Sequence, residues 1–186
     1  MLAGSLSGDS LLSTSSTRVR AVLNTPIPNA KTLNVHFRIL GDSATVKPDS
    51  DGVTRKGVTV WANVLNACNL YFLACRTDSR QPSGTTVVEA QEQLNPAITG
   101  PISNAQLNSC AGQGYSFMAP PSFSKTDIMD GQWHDFTIRR TALIFRLYLD
   151  QNLMVEAVPM PNSLTDTGLY GLRTDNVNIE LSVTIV

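Results

Sequence analysis

The stretch GQWHDFTIRR, residues 131–140, decides the fold. It opens on a turn glycine, passes through a Trp-His pair and enters a run of alternating polarity. His134, Phe136 and Ile138 fall on one side, and Asp135, Thr137 and Arg139 on the other. Alternation with a period of two is what a half-buried β-strand requires, because successive side chains of a strand leave opposite faces. Trp133-His134-Asp135 therefore reads as a strand entrance and not as a set of reactive groups.

The same period recurs along the chain. TLNVHFRIL (32–40) sets Leu33, Val35, Phe37 and Ile39 against Asn34, His36 and Arg38. LIFRLYLD (143–150) directs Phe145, Leu147 and Leu149 inward and Arg146 and Tyr148 outward. DQN (150–152) makes a tight turn from which LMVEA (153–157) pairs back. NIELSVTIV (178–186) closes with Ile179, Leu181, Val183 and Ile185 inward. GVTVWANV (57–64) and NLYFLACR (69–76) add two strands, and the turn-rich residues 41–57 form a long loop or irregular hairpin. VVEAQEQL (87–94) fits a helical turn or a strand, with Glu89 and Glu92 expected on a solvated face. No long amphipathic helix stands out, so the expected class is all-β: an antiparallel two-sheet sandwich in residues 18–186.

Charged residues make up 16% of the 186-residue chain, and 14 basic side chains nearly cancel 15 acidic ones. Without a basic field, nucleic acid is not an expected partner. No apolar run approaches the ~18 residues of a membrane span, so none is expected, and the N-terminus lacks the pattern of a general secretory signal. Cys68, Cys75 and Cys110 do not form a close-spaced metal-ligand set and are expected to be structural thiols. Neither metal nor cofactor is expected. With only His36 and His134, and no GxSxG, HExxH or P-loop pattern, nucleophilic and metal-dependent hydrolysis have few ways to be built.

Residues 1–17 hold six Ser, two Thr, two Gly and a single charge, Asp9. That is the composition of an extended arm without a core of its own. Leu2, Leu6, Leu11 and Leu12 interrupt it, and a plain linker has no use for them. They are expected to bind partner subunits of a homo-oligomeric assembly; the alternative is that the arm lies along its own sandwich and pairs with an edge strand.

From Trp133 to the C-terminus the order W-H-x-F-x-I-x-R, L-Y-L-D (147–150), G-L-Y-G-L (168–172) and a closing alternating strand resembles the C-terminal half of a concanavalin A-like, laminin G-like jelly roll. That resemblance implies the sandwich fold, with Trp133 capping the core and His134 packed or hydrogen-bonded beside it. Hydrolases of this superfamily place paired carboxylates on one strand in an E-x-D-x-E run, which lets them flank one glycosidic bond. The chain has no such run: Asp127 and Asp130 are three apart, and Asp175 and Glu180 are five apart, so neither pair shares a strand face. The expected protein is not an enzyme. It is a structural or attachment component of a larger assembly, such as a viral capsid decoration or tail protein at a particle surface. The alternative is a lectin-like module for a surface glycan, with Trp61, Tyr71, Tyr115 or Tyr148 as stacking aromatics near Asp78 or Asp150.

Overall fold

A computed structural model describes residues 12–14, 18–22, 26–66, 68–94, 115–141, 144–159, 164 and 166–186. The strands, in chain order, are β1 (Leu12–Thr14), β2 (Arg18–Val22), β3 (Thr32–Asp42), β4 (Arg55–Asn66), β5 (Asn69–Asp78), β6 (Thr86–Gln93) and β7 (Tyr115–Phe117). They continue with β8 (Ser122–Ser124), β9 (His134–Arg140), β10 (Phe145–Leu149), β11 (Asn152–Ala157), β12 (Tyr170–Asp175) and β13 (Val177–Ile185). All described pairings are antiparallel. One sheet has the order β1-β13-β3-β9-β10-β11; the other runs β2-β12-β4-β5-β6-β7, with β8 also on β6.

The inward residues of both sheets interdigitate in one core. Leu33, Val35, Phe37 and Ile39 of β3, Phe136 and Ile138 of β9, Phe145, Leu147 and Leu149 of β10, and Leu181 and Val183 of β13 are all buried there. From the facing sheet come Val58, Val60, Tyr71, Leu73, Val88 and Leu172. The alternation that predicts these positions is thus a direct record of which side of each strand leaves water. At the β10–β11 turn, Asp150 and Gln151 both take positive φ (47° and 67°), the left-handed pair that a two-residue hairpin of matching twist requires.

The middle of the chain departs from the expectation. Of the two readings open for VVEAQEQL the strand holds, over residues 87–93, but Glu89 and Glu92 are buried rather than solvated. Glu92 is in phase with Val88 and Ala90 and lies on the core side, whereas Glu89 lies on the outer face of the second sheet, where Trp61, Leu70, Phe72 and Ala74 form a second buried cluster. Strands covered on both faces lose the polar-apolar contrast from which a solvated side is inferred. Within that face Glu89 ion-pairs with Arg76, whose guanidinium lies 4.9 Å from the centre of the Phe72 ring.

The cysteines are also not uniform. Cys75 is a free, buried thiol, whereas Cys68 is disulfide-bonded, which corrects the expectation of structural thiols throughout. Cys110 lies outside the described residues.

Of the four arm leucines, Leu2, Leu6 and Leu11 lie outside the described residues. Leu12 belongs to β1 and stands opposite Leu181 at the edge of the chain's own sheet.

Phe136 is fully buried at the centre of the core. Its truncation in Phe136→Ala should cost about 3 to 5 kcal/mol, the range for emptying an enclosed aromatic site, measured as the loss of unfolding free energy in urea. A loss below about 1 kcal/mol would contradict the packing described.

Candidate functional site

The outer face of the β1-β13-β3-β9-β10-β11 sheet carries the polar halves of the alternating strands. Asn34, His36 and Arg38 come from β3, Asp135, Thr137 and Arg139 from β9, Arg146 and Tyr148 from β10, and Glu180 and Ser182 from β13. Register fixes their neighbours. His36 stands between Asp135 and Ser182, Asn34 opposite Thr137, Arg38 opposite Glu180, and Tyr148 opposite Thr137.

Trp133 directly precedes β9 and continues the phase of Asp135, Thr137 and Arg139. It does not cap the core as the jelly-roll resemblance implied: it is 40% exposed and lies on this outer face. Its indole stacks on the His36 ring with centroids 4.5 Å apart and planes 1° from parallel, and the Arg38 guanidinium lies 5.0 Å from its ring centre. His36 is anchored in turn, its Nδ1 lying 3.0 Å from Asp135 Oδ1. Asn34 Nδ2 donates to the same oxygen at 3.0 Å, and Thr137 Oγ1 donates to Asn34 Oδ1 at 2.7 Å. Arg38 donates through Nε to Glu180 Oε2 at 2.7 Å. The result is a half-exposed indole held flat beside a line of oriented donors and acceptors.

His134 fixes this line from below. It is 6% exposed, and its ring leans on Phe37 with centroids 5.9 Å apart. Nδ1 lies 2.8 Å from Asp150 Oδ2 and Nε2 lies 3.1 Å from Asp130 Oδ1. Asp150 accepts the Asp135 backbone N–H at 2.8 Å through its other oxygen, and its own N–H donates to Asp135 O at 2.9 Å. The imidazole therefore clamps the loop before β9 and the β10–β11 turn to the start of β9, where Trp133 and Asp135 sit. Burial opposes a charge on His134, but the hydrogen bonds and charges of Asp150 and Asp130 outweigh it, and the pKa rises above the ordinary histidine value. Asp130 is held below the usual carboxylate range, chiefly by the Gln132 N–H and then by His134. As expected from the sequence, the histidine is packed and hydrogen-bonded.

The other candidates are placed elsewhere. Trp61 lies in the second buried cluster, with Tyr115 packed edge-on to Phe72 at 5.5 Å. Tyr71 is in the core, its hydroxyl donating to Leu164 O at 3.4 Å. Of the four aromatics singled out, Tyr148 alone reaches the outer face described here, under the Arg139 guanidinium at 4.9 Å. Asp78 accepts from Arg80, Asp127 accepts the Met129 N–H, and Asp175 accepts from Arg173. Asp150 serves His134. Among the described residues no cluster of His, Cys, Asp and Glu is arranged to hold a metal ion.

No family model and no curated protein matches this sequence. The fold is nonetheless shared with solved structures. The carbohydrate binding module CBM66 from Bacillus subtilis is 15% identical, with 92% of this chain and 83% of that one covered at a TM-score of 0.53. A GH16 protein of the Bacteroides ovatus mixed linkage glucan PUL is 8% identical, with 91% and 74% covered at 0.59. A glycoside hydrolase family 16 endo-glucanase from Bacteroides ovatus is likewise 8% identical, with 91% and 74% covered at 0.57. Enzymes and a binding module thus both occur on this fold. These likenesses overturn the expected role as a viral decoration or tail component docking through an arm, and they give no support to the partner subunits or homo-oligomer expected with it. The described end of that arm also pairs within its own sheet.

A pH dependence follows from His134. Its native pKa is raised above the unfolded one, so the stability it contributes is complete below about pH 6.5 and is lost as pH rises through the native value. Urea midpoints should fall from mildly acid to alkaline pH in the wild type. His134→Gln should lower stability at pH 6 and flatten that slope; an unchanged slope would exclude the clamp as its source. By the two antiparallel sheets, their register and these likenesses, the chain has the concanavalin A-like jelly-roll sandwich fold.

Proposed function

We propose that this protein is a non-catalytic carbohydrate-binding module that takes a glycan on the outer face of the sheet carrying β3, β9 and β13. The observation that carries the reading is Trp133, a half-exposed indole held flat on His36 at 4.5 Å beside the bonded groups Asp135, Asn34 and Thr137. A pyranose ring offers an apolar C–H face and a rim of hydroxyls, and such a site needs an aromatic surface with a few placed polar groups. Here those groups are oriented before any ligand arrives, which reduces the entropy lost on binding. The shared fold with a carbohydrate binding module adds support by analogy.

The carboxylates speak for binding over hydrolysis. Retaining and inverting glycosidases need one carboxylic acid and one carboxylate about 5 to 9.5 Å apart, both open to substrate. Here Glu180 is committed to Arg38, Asp135 to His36 and Asn34, and Asp150 and Asp130 to His134. On β6, period two places Glu89 with Gln91 and Gln93, so that face holds one carboxylate, and Arg76 occupies it.

Affinity electrophoresis and calorimetry against neutral and acidic polysaccharides test the proposal. The wild type should bind at least one without releasing reducing sugar, and Trp133→Ala should weaken binding about tenfold or more, equivalent to about 1.4 kcal/mol, with an unchanged urea midpoint. Binding that survives Trp133→Ala would move the site elsewhere, and turnover would make the protein an enzyme.

A further inference from the structure

We infer that the glycan taken by this face carries a carboxylate, and that Arg139 reads it at the Tyr148 end of the site. The inference rests on the carbohydrate-binding reading above. On this face Arg38 is paired with Glu180 at 2.7 Å, Arg146 with Glu156 at 2.6 Å, and His36 with Asp135 at 3.0 Å. Arg139 is exposed, and among the described residues no carboxylate lies within ion-pair distance of it.

Its position makes that exception informative. Arg139 and Arg146 stand directly opposite each other in the β9–β10 ladder. Like charges at directly opposed positions cost stability, and Glu156 neutralises only one of the two. Two arginines set at opposed positions, with a carboxylate supplied to Arg146 alone, leave the charge of Arg139 available to an anion. Arg139 also has an aromatic neighbour, its guanidinium lying over the Tyr148 ring 4.9 Å from the ring centre. A planar guanidinium offers its paired N–H groups in the geometry that a carboxylate accepts with both oxygens.

The register sets the order of the parts. Trp133 lies four residues before Thr137, which faces Tyr148, so the two aromatics are about 14 Å apart along and across the strands. Between them are Asp135, His36, Asn34 and Thr137. An oligosaccharide laid along β9 would stack a sugar on Trp133, present hydroxyls to the polar line and bring an acidic residue to Arg139. One uncompensated charge suits one carboxylate in a short run of sugars, as in a uronic acid chain, and does not suit a densely sulfated polymer that needs several cations.

Calorimetry with the full chain distinguishes the outcomes. The probes are polygalacturonate, alginate and hyaluronan, the methyl-esterified form of each, dextran sulfate, and neutral β-glucan and galactan. The wild type should bind at least one uronate polymer about tenfold more tightly than its methyl ester, the size of a charge-assisted hydrogen-bond contribution. Arg139→Gln should reduce that binding to the methyl ester's level, Arg139→Lys should recover part of it, and Trp133→Ala should weaken both forms. Equal affinity for acid and ester, binding of neutral glycans alone, or an unaffected Arg139→Gln variant would overturn the inference while leaving a glycan-binding face intact. Dextran sulfate competing as well as the uronate would reduce the effect to unspecific charge attraction and also overturn it. Absence of binding to every glycan would remove the binding reading itself.

Discussion

The sandwich depends on a corner one residue long. β12 ends at Asp175 in one sheet, β13 begins at Val177 in the other, and Asn176 makes the crossing at a φ of 56°. Asparagine tolerates that left-handed conformation better than most residues because its short amide bonds to nearby backbone. Its Oδ1 accepts the Lys47 N–H at 2.9 Å, its Nδ2 donates to Lys47 O and Arg55 O, each at 2.9 Å, and its carbonyl accepts from Ser43 N–H at 3.0 Å. The side chain, 1% exposed, thus satisfies the passage between β3 and β4 as well as its own corner. Asp175 is registered on Gly57 and Val177 on Asp42. One buried amide therefore sets both sheets against each other, and the phase of β13 and β3 fixes which residues the outer face displays.

The fold was legible wherever one side of a strand meets water. β3, β9, β10 and β13 satisfy that condition, and their buried sets follow from period two. β4 and β5 are buried on both sides along most of their length, and β6 largely so. There the contrast vanishes, and Glu89 could not be placed without knowing that Arg76 stands on the neighbouring strand. The site was legible only in halves. Asn34, His36, Arg38, Asp135, Thr137 and Arg139 were each assigned outward, but nothing local says that β3 and β9 lie side by side. Trp133 was missed for a different reason: its parity matches Asp135, and that signal was available, yet a large aromatic at a strand entrance suggests core. His134 was read correctly as packed, while its carboxylate partners were not: Asp130 reaches it through the loop that leads into β9, and Asp150, 16 residues away, only because β9 and β10 pair.

The face and the core divide one strand's labour. His134 points inward, and its neighbours Trp133 and Asp135 point out, so the buried imidazole stiffens the groups available to a ligand without touching one. The arrangement spends polar burial on rigidity: a histidine enclosed at 6% exposure is stable only with both nitrogens bonded. Asp150 serves twice, closing the hairpin turn and holding the ring, which couples turn geometry to the posture of Trp133.

Cys75 sits in the second half of β5, fully enclosed between the sheets, and burial, with a smaller contribution from Asp150, pushes its thiol far above the ordinary cysteine value. A thiol reacts as the thiolate, so the native chain shields this sulfur both sterically and by protonation. Alkylating reagents reach it only when the sheets part. Its modification rate is therefore a clock for opening of the core, read at one atom and without denaturant.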